Sequence, residues 1–378
     1  MARLLHMSLF VEPSRDAQDQ CGATPDAPSC ANVTLDIVMP HRKFIDYRRP
    51  VVIVGSFALA CLLLYHYALF PWTSSSSTIT MGSRTPTAIF QFEAVPDVFM
   101  QSQPGTDPSD FDNAKQNFGL IHRKYPTDQT TVSAVSTDWQ RFMRYVRYLQ
   151  ATTGEHITYK VLVLGRHGEG FHNVAEAYYG TKAWDDYWSR LDGNGTINWL
   201  DAHLTDVGKE QARAAGDFMK AQLAQPRMMP PPESYYVSPL YRCLQTATFT
   251  WGTLRLPGDK LFKPLVKELV REVLGEHTCD KRSTRTVIHD AFPDFPIEEG
   301  FTEEDALWRA DHRETHEEHD IRTQALLDDL FAIDDKTVVS VTSHSGTIAS
   351  FLRVLGHREF KLPTGGMIPV LIKATRVD

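Results

Sequence analysis

The chain has 378 residues, of which 42% are hydrophobic and 23% are charged, and its formal net charge is -8. These values are typical of a globular protein and exclude a wholly disordered chain or a polytopic membrane protein. Because acidic residues are in excess, no overall positive field is available to bind a polyanion, and nucleic acid is not expected as a partner.

The first part of the chain divides into two predicted segments. Residues 1–49 are rich in Pro, Asp and Ser without sustained periodicity, which predicts a flexible tail. Residues 51–71 contain no Asp, Glu, Lys or Arg. About twenty helical residues span roughly 30 Å, the thickness of the hydrocarbon core of a bilayer, so this run predicts one transmembrane helix. A buried core helix is the alternative, but a globular helix of this length usually carries a polar stripe.

The flanks of this run predict its orientation. Four basic residues lie just before it: Arg42, Lys43, Arg48 and Arg49. The positive-inside rule then predicts a cytosolic N-terminus and a lumenal or extracellular C-terminal domain, with a cytoplasmic domain as the alternative. Residues 73–88 are rich in Ser and Thr and predict a flexible stalk. Residues 89–378 are predicted to form one globular domain around a single core.

Three short apolar runs in this domain are each followed by a polar loop. They are Tyr159–Gly165, Ser234–Val237 and Val338–Thr342, and amphipathic helical sequence follows the second and third runs. Short apolar strands that alternate with such helices indicate an α/β sheet that is buried on both faces. Ligands bind beyond the carboxyl ends of the strands in sheets of this kind, so we expect the three loops to converge on one site.

The three loops carry Arg166, His167, Arg242 and His344. The planar fork of arginine matches phosphate oxygens, and a neutral imidazole can attack phosphorus. A single histidine is more often a structural or surface residue. The joint placement of two histidines and two arginines after predicted strands therefore favours a phosphate site over that simpler interpretation.

Four motifs in chain order resemble those of the histidine phosphatase superfamily. They are RHGEGFHN at 166–173, LTDVG at 204–208, SPLYR at 238–242 and SHSG at 343–346. Trp184, WLDAH at 199–203 and HTCDKR at 277–282 further resemble the fungal phosphoglycerate mutase-like branch of that family. The resemblance extends from about Phe90 to the C-terminus. It implies a three-layer α/β/α phosphoglycerate mutase-like domain, preceded by the predicted transmembrane helix.

The same resemblance implies roles for the loop residues. His167 would be the nucleophile that forms a phosphohistidine, and Arg166, Arg242 and His344 would bind the nonbridging oxygens and stabilise the transition state. Asn173 matches the asparagine of the signature and would orient the substrate or a loop backbone. The scheme needs no metal and no cofactor.

Cleavage of a phosphate ester also needs a proton donor for the leaving oxygen. The family places a Glu or Asp in the middle third of its domain, shortly before a glycine. Glu272, three residues before Gly275, matches this pattern, and Glu268 is the second candidate. The positive charges of the pocket lower the pKa of a nearby carboxyl group, so it stays protonated only through desolvation or through the arriving phosphate dianion. Its use as an acid predicts a pH optimum below neutrality.

The sequence therefore predicts a phosphomonoester hydrolase that acts on a small-molecule phosphomonoester or on a phosphoprotein. One alternative is a phosphotransferase of the phosphoglycerate mutase type, although no pocket for a retained acid can be identified in the sequence. The other alternative is a membrane-tethered, non-catalytic binding protein on an inactive phosphatase fold. The presence of both histidines and both arginines argues against it.

Two further sets of side chains contain residue types that bind metals. Residues 298–320 are strongly acidic and contain His312, His316 and His319, and we predict a solvated helix face near the pocket rather than a metal site. The five cysteines are scattered, and no pair has the spacing of a structural zinc site. No bound metal is expected.

Overall fold

In a computed structural model of the chain, the described residues are 89–128, 136–258 and 260–377. A six-stranded mixed sheet lies at the centre of this part of the chain. Its strands are β1 (Phe90–Ala94), β2 (Ile157–Arg166), β3 (Ser234–Val237), β4 (Leu265–Val266), β5 (Val338–Ser343) and β6 (Met367–Arg376). In space they follow the order β1-β6-β2-β5-β3-β4. β6 runs antiparallel to β1 and β2, whereas the β2-β5, β5-β3 and β3-β4 pairs are parallel.

Eight α-helices are found in the described residues. They are α1 (Asp138–Thr152), α2 (Phe171–Tyr179), α3 (Thr181–Asp186), α4 (Asp206–Leu223), α5 (Tyr241–Trp251), α6 (Arg285–Ala291), α7 (His316–Ile333) and α8 (Ser345–Val354). Short 3-10 turns occupy Met100–Ser102, Asn117–Gly119, Trp188–Arg190, Glu268–Val270 and Thr278–Asp280. Threonine caps four of the helices, and at α4 the Thr205 hydroxyl accepts a hydrogen bond from Gly208 N at 3.0 Å. Such a cap satisfies one of the free N–H groups of the first turn.

Helices cover both faces of the sheet. Successive side chains of a strand point to opposite faces, and β2 follows this rule. Leu162 and Leu164 pack in one hydrophobic cluster with apolar residues of α7 and α8. Val161 and Val163 pack in a second cluster with apolar residues of α1, α4 and α5. The burial of β2 on both sides explains its nearly continuous apolar sequence.

The predicted mixed α/β fold with a central sheet is confirmed. The runs 159–165 and 338–342 lie within β2 and β5, and the run 234–237 is β3. β1 and β6 were not predicted, and they add an antiparallel edge to the parallel strands.

The predicted tail, transmembrane helix and stalk at 1–49, 51–71 and 73–88 lie outside the described residues. Within the ranges that are described, no helix is long and apolar enough to cross a bilayer. The transmembrane helix therefore stays a prediction.

The acidic stretch 298–320 differs from its prediction. Only its last residues are helical, because α7 begins at His316. Asp305 and Glu314 are buried in ion pairs with arginines, and His319 is buried as well. The prediction of a helix was therefore wrong for most of this stretch, whereas most of its acidic side chains are exposed, as expected. Asp305 and Glu314 are exceptions, because charged side chains that find partners can enter the interior.

Candidate active site

The candidate site lies where three parallel strands end at the same edge of the sheet. β2 ends at Arg166, and His167 follows it. The backbone N of His167 donates to Ser343 O at 3.0 Å, which ties this loop to the end of β5. A pocket of about 300 Å³ opens at this edge. Five of the six predicted site residues line it: Arg166, His167, Asn173, Arg242 and Glu272. The sixth, His344, lies beneath it, with its ring centroid 5.1 Å from that of His167.

His167 is held as a neutral imidazole with a defined tautomer. Its Nδ1 lies 2.7 Å from Gly168 O, and because a carbonyl oxygen can only accept, Nδ1 carries the proton and donates. Nε2 then has the free lone pair and accepts from Arg242 Nε at 3.3 Å. Burial, and then the positive charge of Arg242, hold the pKa of His167 well below its usual range. A neutral imidazole with a free Nε2 is the nucleophilic form of histidine.

Arg242 is almost fully buried and is oriented by an ion pair that the sequence did not predict. One of its terminal nitrogens donates to Asp280 Oδ1 at 2.8 Å, and the other donates to Cys279 O at 2.6 Å. Asp280 Oδ2 accepts from Arg313 at 2.9 Å. Burial alone would raise the pKa of Asp280, but the charges of Arg313 and Arg242 hold it below its usual value. A buried carboxylate between two guanidiniums therefore fixes the position of Arg242.

Arg166 offers unused donors to the pocket. One terminal nitrogen donates to Leu362 O at 2.7 Å, which anchors the guanidinium. Its buried Nε has no hydrogen-bond partner among the residues that the structure describes. Since buried polar groups are nearly always paired, this unpaired donor, on a residue that lines the pocket, is available to an anion.

His344 is the N-cap residue of α8, directly after β5, and is completely buried. Its Nε2 forms a hydrogen bond with the Ser238 hydroxyl at 2.8 Å, which connects the loops after β5 and β3. Burial, and then the charge of Arg242, hold the pKa of His344 well below its usual range. The site thus contains two neutral imidazoles whose positions are fixed by separate loops.

Glu272 and Glu268 have different surroundings. Glu272 lines the pocket, and its two carboxyl oxygens accept from Val273 N and Gly346 N, each at 3.0 Å. Burial, and then the negative charge of Asp280, raise the pKa of Glu272. Glu268 does not line the pocket; it accepts from Arg271 at 2.8 Å and from Arg282 at 3.0 Å. A carboxyl group with a raised pKa in the pocket can donate a proton, whereas the ion-paired Glu268 stabilises the fold around it.

Asn173 and His172 lie on the first turn of α2. Asn173 Oδ1 accepts from Gly170 N at 3.0 Å, which caps the helix, and Asn173 lines the pocket. His172 also lines the pocket, with its ring centroid 5.4 Å from that of His167, and its buried Nδ1 is unpaired within the described residues. Burial, and then Arg242, hold the pKa of His172 well below its usual range.

Three pocket residues were not among the predicted site residues, and the signals for them in the sequence differ. His172 lies inside the RHGEGFHN motif, so its presence in the motif was a usable signal. Asp280 belongs to the HTCDKR segment, but nothing local indicates that it pairs with Arg242. Arg313 lies in the acidic stretch 298–320 and reaches the site only through the fold.

One group of described residues has donor atoms close enough to hold a metal ion: His277, Cys279 and Asp280 lie within 4.8 Å of one another. Both oxygens of Asp280 are already hydrogen-bonded to arginines. Two adjacent positive charges repel a cation, so this group is an unfavourable metal site.

Comparisons with known proteins agree with this geometry. Residues 162–364 match the model of the histidine phosphatase superfamily (branch 1). The chain is 50% identical to the "Probable phosphoglycerate mutase" of Arthroderma benhamiae over 79% of this chain and 89% of that protein. It is 36% identical to the "Phosphomutase-like protein 3" of Candida albicans over 72% of this chain and 77% of that protein. A third relative, the "Probable phosphoglycerate mutase PMU1" of Saccharomyces cerevisiae, is 39% identical over 57% of this chain and 79% of that protein.

Proposed function

The chain belongs to the histidine phosphatase superfamily, in its fungal phosphoglycerate mutase-like branch, and on that premise we propose that it hydrolyses phosphomonoesters through a phosphohistidine on His167. The observation that carries this proposal is the state of His167. Its Nδ1 donates a hydrogen bond to Gly168 O, and its Nε2 lone pair accepts a hydrogen bond from Arg242 in a buried pocket. A carboxyl group with a raised pKa, Glu272, lines the same pocket.

In the first step, the phosphate dianion of the substrate binds to the free donors of Arg166 and Arg242 and replaces the hydrogen bond between Arg242 and His167. Nε2 of His167 attacks phosphorus, so that a P–N bond forms while the P–O bond to the alcohol breaks. Glu272 gives its proton to the leaving oxygen. The arginines and His344 stabilise the charge on the equatorial oxygens.

In the second step, water takes the place of the alcohol. The Glu272 carboxylate accepts a proton from this water, whose oxygen attacks phosphorus while the P–N bond breaks. Inorganic phosphate leaves, His167 returns to its neutral form, and Glu272 is again protonated. The two steps therefore balance with the ester and water as the only reactants.

Phosphoglycerate mutase activity is the second candidate, and the names of the relatives favour it. A mutase must also bind the carboxylate of its retained acid. Of the arginines that line the pocket, Arg242 and Arg313 are already paired with Asp280, and Glu176 and Asp185 add negative charge. Hydrolysis is therefore the better-supported reaction. A non-catalytic role is not favoured, since the pocket retains its nucleophile, cations and acid.

The test uses the full-length chain and a simple ester, p-nitrophenyl phosphate. We expect His167→Ala to lower the rate of hydrolysis by at least about 10³-fold, as loss of a nucleophile does in other covalent enzymes. His289→Ala is the matched control, because this histidine lies on α6, is largely exposed and does not line the pocket. Unchanged hydrolysis by His167→Ala would overturn the assignment of the nucleophile.

The substrate class and the location of the protein are part of the proposal. A pocket of about 300 Å³ is in the range of small-molecule sites, which favours a small phosphomonoester over a phosphoprotein. The apolar run at 51–71 and the basic residues before it support a single-pass membrane protein with a cytosolic N-terminus. Protease protection in sealed membranes tests this topology, and cleavage of the C-terminal domain from the cytosolic side would contradict it.

A further inference from the structure

A second cavity, of about 310 Å³, adjoins the phosphate pocket. The two cavities share three wall residues: Arg166, Ser345 and Gly346. These residues come from the end of β2 and from the first turn of α8. The second cavity therefore continues the phosphate pocket on the other side of this short wall.

The walls of the second cavity are mostly apolar. Ile348, Ala349 and Leu352 come from α8, and Phe360 and Leu362 come from the segment before β6. We call these five residues the apolar annex. Except for the half-buried Ala349, they are at most 8% exposed. The charged residues of this cavity are the shared Arg166, on the side of the phosphate pocket, and Glu359 and Lys361, which are exposed.

The proposed proton donor lies at the border of the two cavities. Glu272 Oε2 accepts from Gly346 N at 3.0 Å, and Gly346 is one of the shared wall residues. The leaving oxygen of the substrate must contact this carboxyl group to receive its proton. The alcohol part attached to that oxygen therefore starts beside Gly346, within reach of the apolar annex.

We propose that the apolar annex binds the alcohol part of the substrate, and that the substrates are phosphomonoesters of uncharged, apolar alcohols. This inference rests on the proposed function. At about 30 Å³ for each non-hydrogen atom, 310 Å³ holds an alcohol part of roughly ten such atoms. A charged alcohol part would lose its hydration among buried aliphatic and aromatic side chains without a partner for its charge.

The test measures binding separately from catalysis. Methyl-, butyl-, hexyl- and octylphosphonate present the same dianion with a growing apolar chain and cannot be hydrolysed at their P–C bond. Their dissociation constants are measured by calorimetry on the full-length protein. We expect roughly fourfold tighter binding for each methylene that enters the annex, and therefore on the order of 10⁴-fold between methyl- and octylphosphonate if all the added methylenes enter it.

Two variants locate this effect. Ala349→Phe fills the annex with an aromatic ring, and we expect it to bring the octyl-to-methyl affinity ratio close to one. Ala214→Phe makes the same change on an exposed position of α4 that lines none of these cavities, and should keep the ratio of the wild type. If Ala349→Phe does not fold, Ala349→Leu replaces it and should reduce the ratio partially.

The outcomes separate this inference from the proposed function. A flat chain-length series in the wild type overturns the inference, whether or not the protein hydrolyses esters. A steep series that Ala349→Phe or Ala349→Leu leaves unchanged also overturns it. A steep series that these variants reduce supports the annex, even if p-nitrophenyl phosphate is not hydrolysed, in which case the proposed function fails alone.

Discussion

Replacing Glu272 by glutamine tests the proton donor, because an amide of the same shape cannot release a proton. In the folded chain, both carboxyl oxygens accept backbone hydrogen bonds, and the group faces the pocket that holds His167. Loss of a general acid lowers a rate by about 10²- to 10⁴-fold, or roughly 3 to 5 kcal/mol in the barrier. Glutamine keeps one acceptor oxygen, so the folded state should lose only about 1 kcal/mol from the changed backbone hydrogen bonds.

The assay compares two esters with different leaving groups. An alkyl phosphate releases a strongly basic alkoxide that needs the proton, whereas p-nitrophenolate leaves without one. Glu272 also acts on water in the second step, which is common to both esters, so the rate compared is release of the alcohol in the first turnover. Glu272→Gln should slow this release by the full 10²- to 10⁴-fold for the alkyl ester and by less than about tenfold for p-nitrophenyl phosphate. Equal losses for the two esters in this first turnover would refute the role of Glu272 as the acid.

Glu268→Gln is the matched control for this experiment. Glu268 is the other glutamate predicted from the sequence, but it is ion-paired with Arg271 and Arg282 and lies outside the pocket. Its replacement should lower the free energy of unfolding, and any loss in the rate of hydrolysis should be the same for the two esters. If Glu268→Gln, and not Glu272→Gln, discriminates between the esters, the two roles are reversed.

The raised pKa of Glu272 also predicts a pH dependence. The protonated form that donates is present below the pKa and is lost as the pH rises through it. Turnover of an alkyl phosphate should therefore be highest on the acidic side of neutrality and decline toward alkaline pH, and this decline should be absent in Glu272→Gln. A flat profile between about pH 5 and 8 in the wild type contradicts this assignment.

Three further predictions concern the support of the site. Asp280→Asn leaves the buried Arg242 and the partly exposed Arg313 without their shared anion. It should lower the free energy of unfolding by about 3 to 5 kcal/mol in urea titrations, and it should also lower kcat/KM. Gly208→Ala places a methyl group 2.0 Å from Glu169 O, so we expect about 1 to 3 kcal/mol of destabilisation and a slower enzyme. The pKa values of the three buried histidines of the site are depressed, so the unfolded chain binds more protons below about pH 6.5. The raised pKa of Glu272 partly offsets this effect, so stability should fall by about 2 to 4 kcal/mol between pH 7 and 5.5. Equal unfolding free energies at the two pH values would contradict this.

The central strands could be predicted because their apolar runs stop abruptly at polar loops. Such a run is what a strand buried on both faces requires, and β2, β3 and β5 all have one. β6 was harder to predict because Pro369 interrupts its apolar sequence, and proline within a run argues against a central strand. β1 has only five residues, too few for its alternating pattern to be distinctive.

The site was predictable where one loop carries its own motif, and unpredictable where the fold brings distant residues together. Arg166 and His167 are neighbours in the chain, and the parallel arrangement of strands places Arg242 beside them. Arg313 reaches the pocket from a stretch of sequence that resembles an exposed acidic surface. Its partner Asp280 is 33 residues away, and no local pattern links them.

The most direct test of the account is to trap the phosphorylated enzyme. The full-length protein is mixed with a phosphomonoester, quenched within the first turnover and digested, and the peptides are analysed by mass spectrometry at alkaline pH. The account predicts one acid-labile phosphoryl group on His167, absent from His167→Ala and discharged to inorganic phosphate as turnover proceeds. Steady hydrolysis without any phosphopeptide, or with the phosphoryl group on another residue, would contradict a phosphohistidine mechanism at His167.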